Sequence, residues 1–169
     1  DDAGNWTERK DVRNFHVMEK RGAGLTEFTT FRYKKNEWLT VKKGHLGPEL
    51  QFGHIVGDHY DDQVLLIKIA WGGKSLGKDF RPPSSGGEVG PYYKELFHHV
   101  RDVLANLETN FPKYDGQGYE IVGFGWHQGW NDRVNQAYND AYEENMANFI
   151  RDVRKELAIE RLPLVIAET

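Results

Sequence analysis

The stretch Val64-Leu65-Leu66-Ile67-Lys68-Ile69-Ala70-Trp71-Gly72-Gly73 decides the fold. It is a short apolar run, rich in branched side chains, of the kind buried on both faces of a parallel sheet. The closing Gly-Gly turn ends the strand and leaves backbone N–H groups exposed where a ligand can approach. Upstream, Gly47-Pro48-Glu49 reads as a helix start, with proline at a first helical position and an acidic residue at the positive end of the dipole. That helix is expected to run to about Asp58.

Working outward, Arg81 to Gly90 is a Pro/Ser/Gly loop, and a helix is expected from about Pro91. Leu96, Val100, Val103, Leu104, Leu107 and Phe111 follow helical spacing, and Pro112 stops it. Tyr119 to Trp126 reads as a second strand. Ala137 to Ala158 reads as a second long helix, with Tyr142, Met146, Phe149, Ile150, Val153 and Leu157 on one face. Leu164 to Ala167 is a third strand. Strand, helix, strand, helix, strand predicts right-handed crossovers and a three-layer α/β/α domain with a parallel sheet. Residues 1–45 are charged, aromatic and weakly periodic. They read as irregular and insert-like, with short strands at 27–31 and 38–41 within Leu25 to Val41. The whole chain, residues 1–169, reads as a single partial domain.

A hydrophobic content of 38% is globular rather than disordered, and a net charge of -4 gives no electrostatic reason to expect a nucleic-acid partner. The absence of cysteine excludes disulfides and thiolate metal sites. No apolar run approaches the roughly 18 residues of a membrane span, so no membrane partner is expected. Asp1-Asp2-Ala3-Gly4 is no signal peptide. Both ends nevertheless read as cut, since the apolar run Leu162 to Ala167 has nothing after it to cover it. The missing leader therefore says little about location.

In open α/β sheets, ligands bind beyond the carboxyl ends of the strands. The segments there are Trp71-Gly72-Gly73-Lys74-Ser75, Trp126-His127-Gln128-Gly129-Trp130-Asn131-Asp132 and Glu168-Thr169. The first two are rich in glycine, amide and aromatic groups. A side-chain amide can donate to a developing oxyanion without carrying charge.

The string WHQGWND at 126–132 resembles the third sequence block of the sialate O-acetylesterase-like carbohydrate esterases, a branch of the SGNH hydrolases. IAWGGKSL at 69–76 is similar to their second block, and GPELQFG at 47–53 to the helix start before it. The order and separations fit over roughly residues 45 to 169. The resemblance implies an SGNH or flavodoxin-like sheet and a serine esterase that deacetylates carbohydrates, with no metal or organic cofactor. It implies an oxyanion hole built from the Gly73 N–H and the Gln128 amide. Gly72, His127, Gly129, Trp130 and Asn131 would contact substrate. Trp130 stands where the family usually has glutamate, which leaves the polar support of this loop open. The family is compatible with a secreted or periplasmic setting.

The family's first block, Gly-Gln-Ser-Asn, and its last, Asp-x-x-His, occur nowhere in these residues, and the only serines are Ser75, Ser84 and Ser85. A chain truncated at both ends explains both absences, and such a chain should be inactive alone. A noncatalytic carbohydrate-binding module or pseudoenzyme is the alternative, and a separate polypeptide supplying the missing blocks is a third possibility. A sheet edge left bare by an absent first strand would favour self-association.

Other signals are weighed against simpler readings. Gly73-Lys74-Ser75-Leu76-Gly77 spells a nucleophile-elbow pattern, but Lys78 to Pro83 admits no helix after it. Gly73-Lys74-Ser75 fails as a phosphate loop because Lys68 stands where a glycine is required. His54 and His59 near Asp58, Asp61 and Asp62 read as a solvated helix end, and His98-His99 as surface. Trp71 and Trp126 read equally as sugar contacts or as core caps, whereas Trp130 faces the site. Glu49 reads as a dipole cap.

Overall fold

The computed structural model describes residues 3–19, 31–41, 47–111 and 113–167. The chain forms two compact units, Asp1–Ala70 and Trp71–Thr169.

In the first unit, β1 (Arg9–Glu19) is the central strand, flanked by β2 (Phe31–Leu39) and β3 (Val64–Ala70), with α1 (Pro48–His59) between β2 and β3 in sequence. β1 pairs antiparallel with β2, setting Arg13 opposite Trp38, and parallel with β3, setting Val12 opposite Val64. Residues 9–19 and 31–39 lie in the stretch read as irregular, and this is the main correction to the sequence reading. β1 hides its strand character because polar and apolar positions are buried together. Val12, Phe15 and Val17 are buried, and so are Asn14 and His16. The strand expected at 27–31 lies, except for Phe31, outside the described residues, and of the one expected at 38–41 only Trp38 and Leu39 are strand, as the end of β2.

α1 begins at Pro48 as the sequence predicts. It packs through two glycines one turn apart. A Cβ added at Gly53 would lie 2.6 Å from Leu39 Cδ2, and one at Gly57 would lie 2.5 Å from Val12 Cγ2. The Glu49 carboxylate reaches Lys68 Nζ on β3 at 2.6 Å, so it ties helix to strand as well as facing the positive helix end.

In the second unit, α2 (Pro91–Ala105) is followed by α3 (Leu107–Asn110). The single helix expected here breaks at Asn106, whose Nδ2 donates to the Asp102 carbonyl at 2.8 Å, offering that acceptor an alternative to the helical ladder. β4 (Phe124–Trp126) is only the end of the strand expected at 119–126. It pairs in parallel with β5 (Leu164–Ile166), which follows Pro163, a residue with no N–H to give a ladder. After a short helix, α4 (Trp130–Arg133), the long helix expected from Ala137 to Ala158 is two pieces, α5 (Gln136–Asp140) and α6 (Tyr142–Glu156). Asn135 opens α5 by accepting from the Tyr138 N–H at 3.1 Å. α6 ends with Ala158 in the left-handed region, φ 56°. Its N–H donates to Lys155 O at 3.2 Å and the Ile159 N–H to Arg154 O at 3.0 Å, the paired bonds of a Schellman motif.

Aromatic rings build the core of this unit. Phe149 is fully buried and lies 4.4 Å from Trp126 and 6.0 Å from Tyr93, while Phe80 meets Trp126 at 5.1 Å, centroid to centroid. The loop at 81–90 contains a short 3-10 turn, Pro83–Ser85, clamped to α6. Both the N–H and the Oγ of Ser84 donate to the Asp152 carboxylate, at 2.8 and 2.6 Å.

Candidate active site

Two loops of the second unit meet: 71–77, which follows β3 in sequence, and 127–132, which follows β4. Gly73 sits at φ 72°, a left-handed conformation that favours glycine. Gly72 and Gly73 are exposed, and the nearest side chain to a Cβ at Gly73 would be Asn131, with Nδ2 3.9 Å away. The turn thus presents its backbone to solvent beside Asn131.

What joins the loops is a carboxylate. Asp132 is 1% exposed. Its Oδ2 accepts from the Leu76 N–H at 2.8 Å and its Oδ1 from the Gly77 N–H at 2.8 Å. Gln128 Nε2 donates to Asp132 Oδ2 at 2.6 Å and to the Lys74 carbonyl at 2.8 Å. Both neighbours of Nε2 are acceptors, which fixes the orientation of the amide and engages both of its protons. Gln128 Oε1 is buried with no hydrogen-bond partner, and the Gln128 main-chain carbonyl accepts from Tyr142 Oη at 2.8 Å. Burial pushes the Tyr142 phenol up from its ordinary range, so it is neutral and able to donate. Lys74 Nζ lies 4.2 Å from the Tyr92 ring centroid.

Gly129 precedes α4, and its carbonyl accepts from the N–H groups of Asp132 and Arg133 at 3.1 and 3.0 Å. Trp130 is 63% exposed, with the Arg133 guanidinium 5.6 Å from its ring centroid, and His127 is also exposed. Trp126 is a core residue, and half-buried Trp71 packs against Tyr92 at 5.2 Å and Phe80 at 5.8 Å. For these two, packing in the core is what the structure describes. Glu168 and Thr169 lie outside the described residues.

Ser75 is buried, and both its N–H and its Oγ donate to Asp79 Oδ2, at 2.8 and 2.9 Å. No regular helix follows it, so the elbow pattern is a closed turn. The expectation that His98 and His99 are both surface residues holds for His98 alone. His99 is buried, its Nε2 3.0 Å from Glu95 Oε1. At the end of α1, Arg9 donates to the His54 carbonyl and to Asp58 Oδ1, at 2.9 and 2.6 Å. Among the described residues, no group of three or more His, Cys, Asp or Glu side chains is placed to hold a metal. A cleft of about 380 Å³ lies elsewhere in the unit, lined by Pro83, Ser84, Tyr93, Asp152, Lys155 and Glu156, and none of the two loops' residues lines it.

A sequence model of the family described as carbohydrate esterase, sialic acid-specific acetylesterase, matches residues 25–169. The chain belongs to this family. Comparison with curated proteins and with solved structures gave no match. Within this carbohydrate esterase domain, Asp132 is the residue whose part sequence reasoning missed. The available signal was a carboxylate set inside a loop of glycines and amides, where backbone N–H groups need acceptors. Among the described residues no helix is long and apolar enough to cross a membrane.

Proposed function

We propose that this chain supplies the oxyanion-binding part of a carbohydrate O-acetylesterase. A serine from outside these residues would attack the acetyl carbonyl and a histidine would take its proton. The carbonyl oxygen, now negative, would accept from the Gly73 N–H and from Gln128 Nε2. Collapse of that intermediate expels the sugar oxygen, which takes up the proton, and water later releases acetate from the serine. Gln128 would turn one proton from the Lys74 carbonyl toward the oxyanion while the other stays on Asp132. Gly72, Gly129, Asn131 and His127 would border the acetyl group, and exposed Trp130 would offer its ring to a sugar. The observation that supports this reading is that Leu76 and Gly77, just after the Gly72-Gly73 turn, and Gln128 all donate to one buried carboxylate.

The chain by itself should show no hydrolysis of an aryl acetate above background. Hydrolysis that survives Gln128→Ala and disappears with Ser75→Ala would overturn the reading. A second reading, a noncatalytic carbohydrate-binding module, draws on the full engagement of the Gln128 amide protons. It expects an acetylated sugar and its deacetylated form to perturb the Gly73 and Gln128 amide resonances equally, whereas the esterase reading expects a larger response to the acetylated one.

A further inference from the structure

We infer that Asp132 is the positioning residue of this site, the group that sets both proposed oxyanion donors in place. The inference rests on the esterase reading for its purpose, and on geometry for its content. Three donors from two loops end on this one carboxylate: the N–H groups of Leu76 and Gly77 and the amide of Gln128. Leu76 and Gly77 continue directly from the Gly73 turn. Anchoring their N–H groups fixes where the chain leaves that turn, and so where the Gly73 N–H points. Gln128 is anchored by the same oxygen that holds Leu76, so the two blocks are registered against each other and not merely each to the core.

The chemistry requires a carboxylate. The Leu76 and Gly77 N–H groups and the Gln128 amide are all donors, and an ionised carboxyl offers acceptor sites on both oxygens and no proton. Asparagine, though equal in shape, would turn an NH2 group toward one of the N–H donors. It would leave that donor without an acceptor in a place closed to water. Glutamate would carry its oxygens one methylene too far for a site already filled. The structure also separates this role from ordinary core packing. Asp152 is a second buried aspartate receiving an N–H and a hydroxyl, and it holds the turn at Pro83–Ser85 to α6 instead.

The test uses the full chain and two variants, Asp132→Asn and Asp152→Asn, followed by amide exchange and by the resonances of Gly73 and the Gln128 side chain. In Asp132→Asn, exchange at Leu76 and Gly77 should rise at least about tenfold and the Gly73 and Gln128 signals should move, while Val153 in α6 keeps its protection. In Asp152→Asn those signals should stay in place. Unchanged protection at Leu76 and Gly77 in a folded Asp132→Asn protein would overturn the inference, as would equal loss throughout the unit. If that variant does not fold, the wild-type chain decides. Scalar coupling across the hydrogen bonds, from the Leu76 and Gly77 nitrogens to the Asp132 carboxyl carbon, is expected, and its absence overturns the assignment. These readouts need no ester. An esterase reading that fails shows itself separately, as equal responses to acetylated and deacetylated sugar in the wild type.

Discussion

His99 Nε2 lies 3.0 Å from Glu95 Oε1 within α2, and neither side chain is more than 3% exposed. The Trp71 ring is stacked on the imidazole at 6.2 Å, so the pair backs the residue that opens the first loop of the site. Removing one member takes this buried ion-pair partner from the other. Glu95→Ala or His99→Ala should each cost roughly 3–5 kcal/mol, whereas Glu95→Leu with His99→Leu should recover most of the loss. Urea unfolding of the three variants measures this. A double variant no more stable than the singles would show that the pair contributes net stability of its own.

The two glycines of α1 set a contest between propensity and packing. Helix propensity favours alanine over glycine by about 1 kcal/mol. Against that, a Cβ at Gly53 or Gly57 would stand 2.5–2.6 Å from side-chain carbons of Leu39 or Val12, and overpacking costs ~1–3 kcal/mol. The neighbours are buried strand residues with little room to yield, so packing should win. Gly53→Ala and Gly57→Ala should each lose up to about 2 kcal/mol in denaturant unfolding, the balance of the two effects. A gain at either site would mean that the sheet gives way.

Ala158 presents the reverse case. It occupies the left-handed C′ position of a Schellman motif at φ 56°, where a Cβ is a liability and glycine is favoured. Ala158→Gly should raise stability by about 1 kcal/mol, seen as a higher midpoint of unfolding with an unchanged slope. A lower midpoint would count against the local geometry.

Two tyrosines should make the protein sensitive to alkali. Burial raises the phenols of Tyr93 and Tyr142 above the ordinary tyrosine range. A folded-state value above the unfolded one means that the neutral phenol favours the fold. That contribution is complete below about pH 10 and is lost as pH climbs through the raised folded values. Absorbance titration in the near ultraviolet should show a late step that coincides with unfolding and shrinks in Tyr93→Phe. A single early step for every tyrosine, with structure retained, would contradict this.

The legible parts of the fold were those where one signal dominates. Val64 to Ala70 is apolar apart from Lys68, and Pro48 and Pro91 each mark a first helical turn, so β3, α1 and the start of α2 follow from the chain directly. β1 was not legible, because Asn14 and His16 are buried beside Val12, Phe15 and Val17 in a strand paired on both sides. Hydrophobic alternation cannot report such a strand. The break between α5 and α6, and that at Asn106, come from local side-chain and turn contacts that periodicity averages away. At the site, the sequence placed the Gly72-Gly73 turn and the Gln128 loop at strand ends. It offered no way to see that Asp132 receives the Leu76 and Gly77 N–H groups together with Gln128, since that depends on where Leu76 and Gly77 arrive in space. Glu95 and His99 share a helix face with Tyr92, Leu96 and Val103, so their burial was readable from spacing, although the adjacency of His99 to His98 suggested surface.

The clamp at Asp132 also has a consequence for how the protein reaches its native state. It joins positions 55 and 56 residues apart, with α2, α3 and β4 in between. Helices of that length form within microseconds from local contacts, but closing so long a loop costs entropy that a few hydrogen bonds offset only once the intervening segments have docked. Topology therefore predicts that the local helices form before the juncture of the two loops. A chain paused one step short of completion would carry nearly all its secondary structure, yet its two loops would still be strangers to each other.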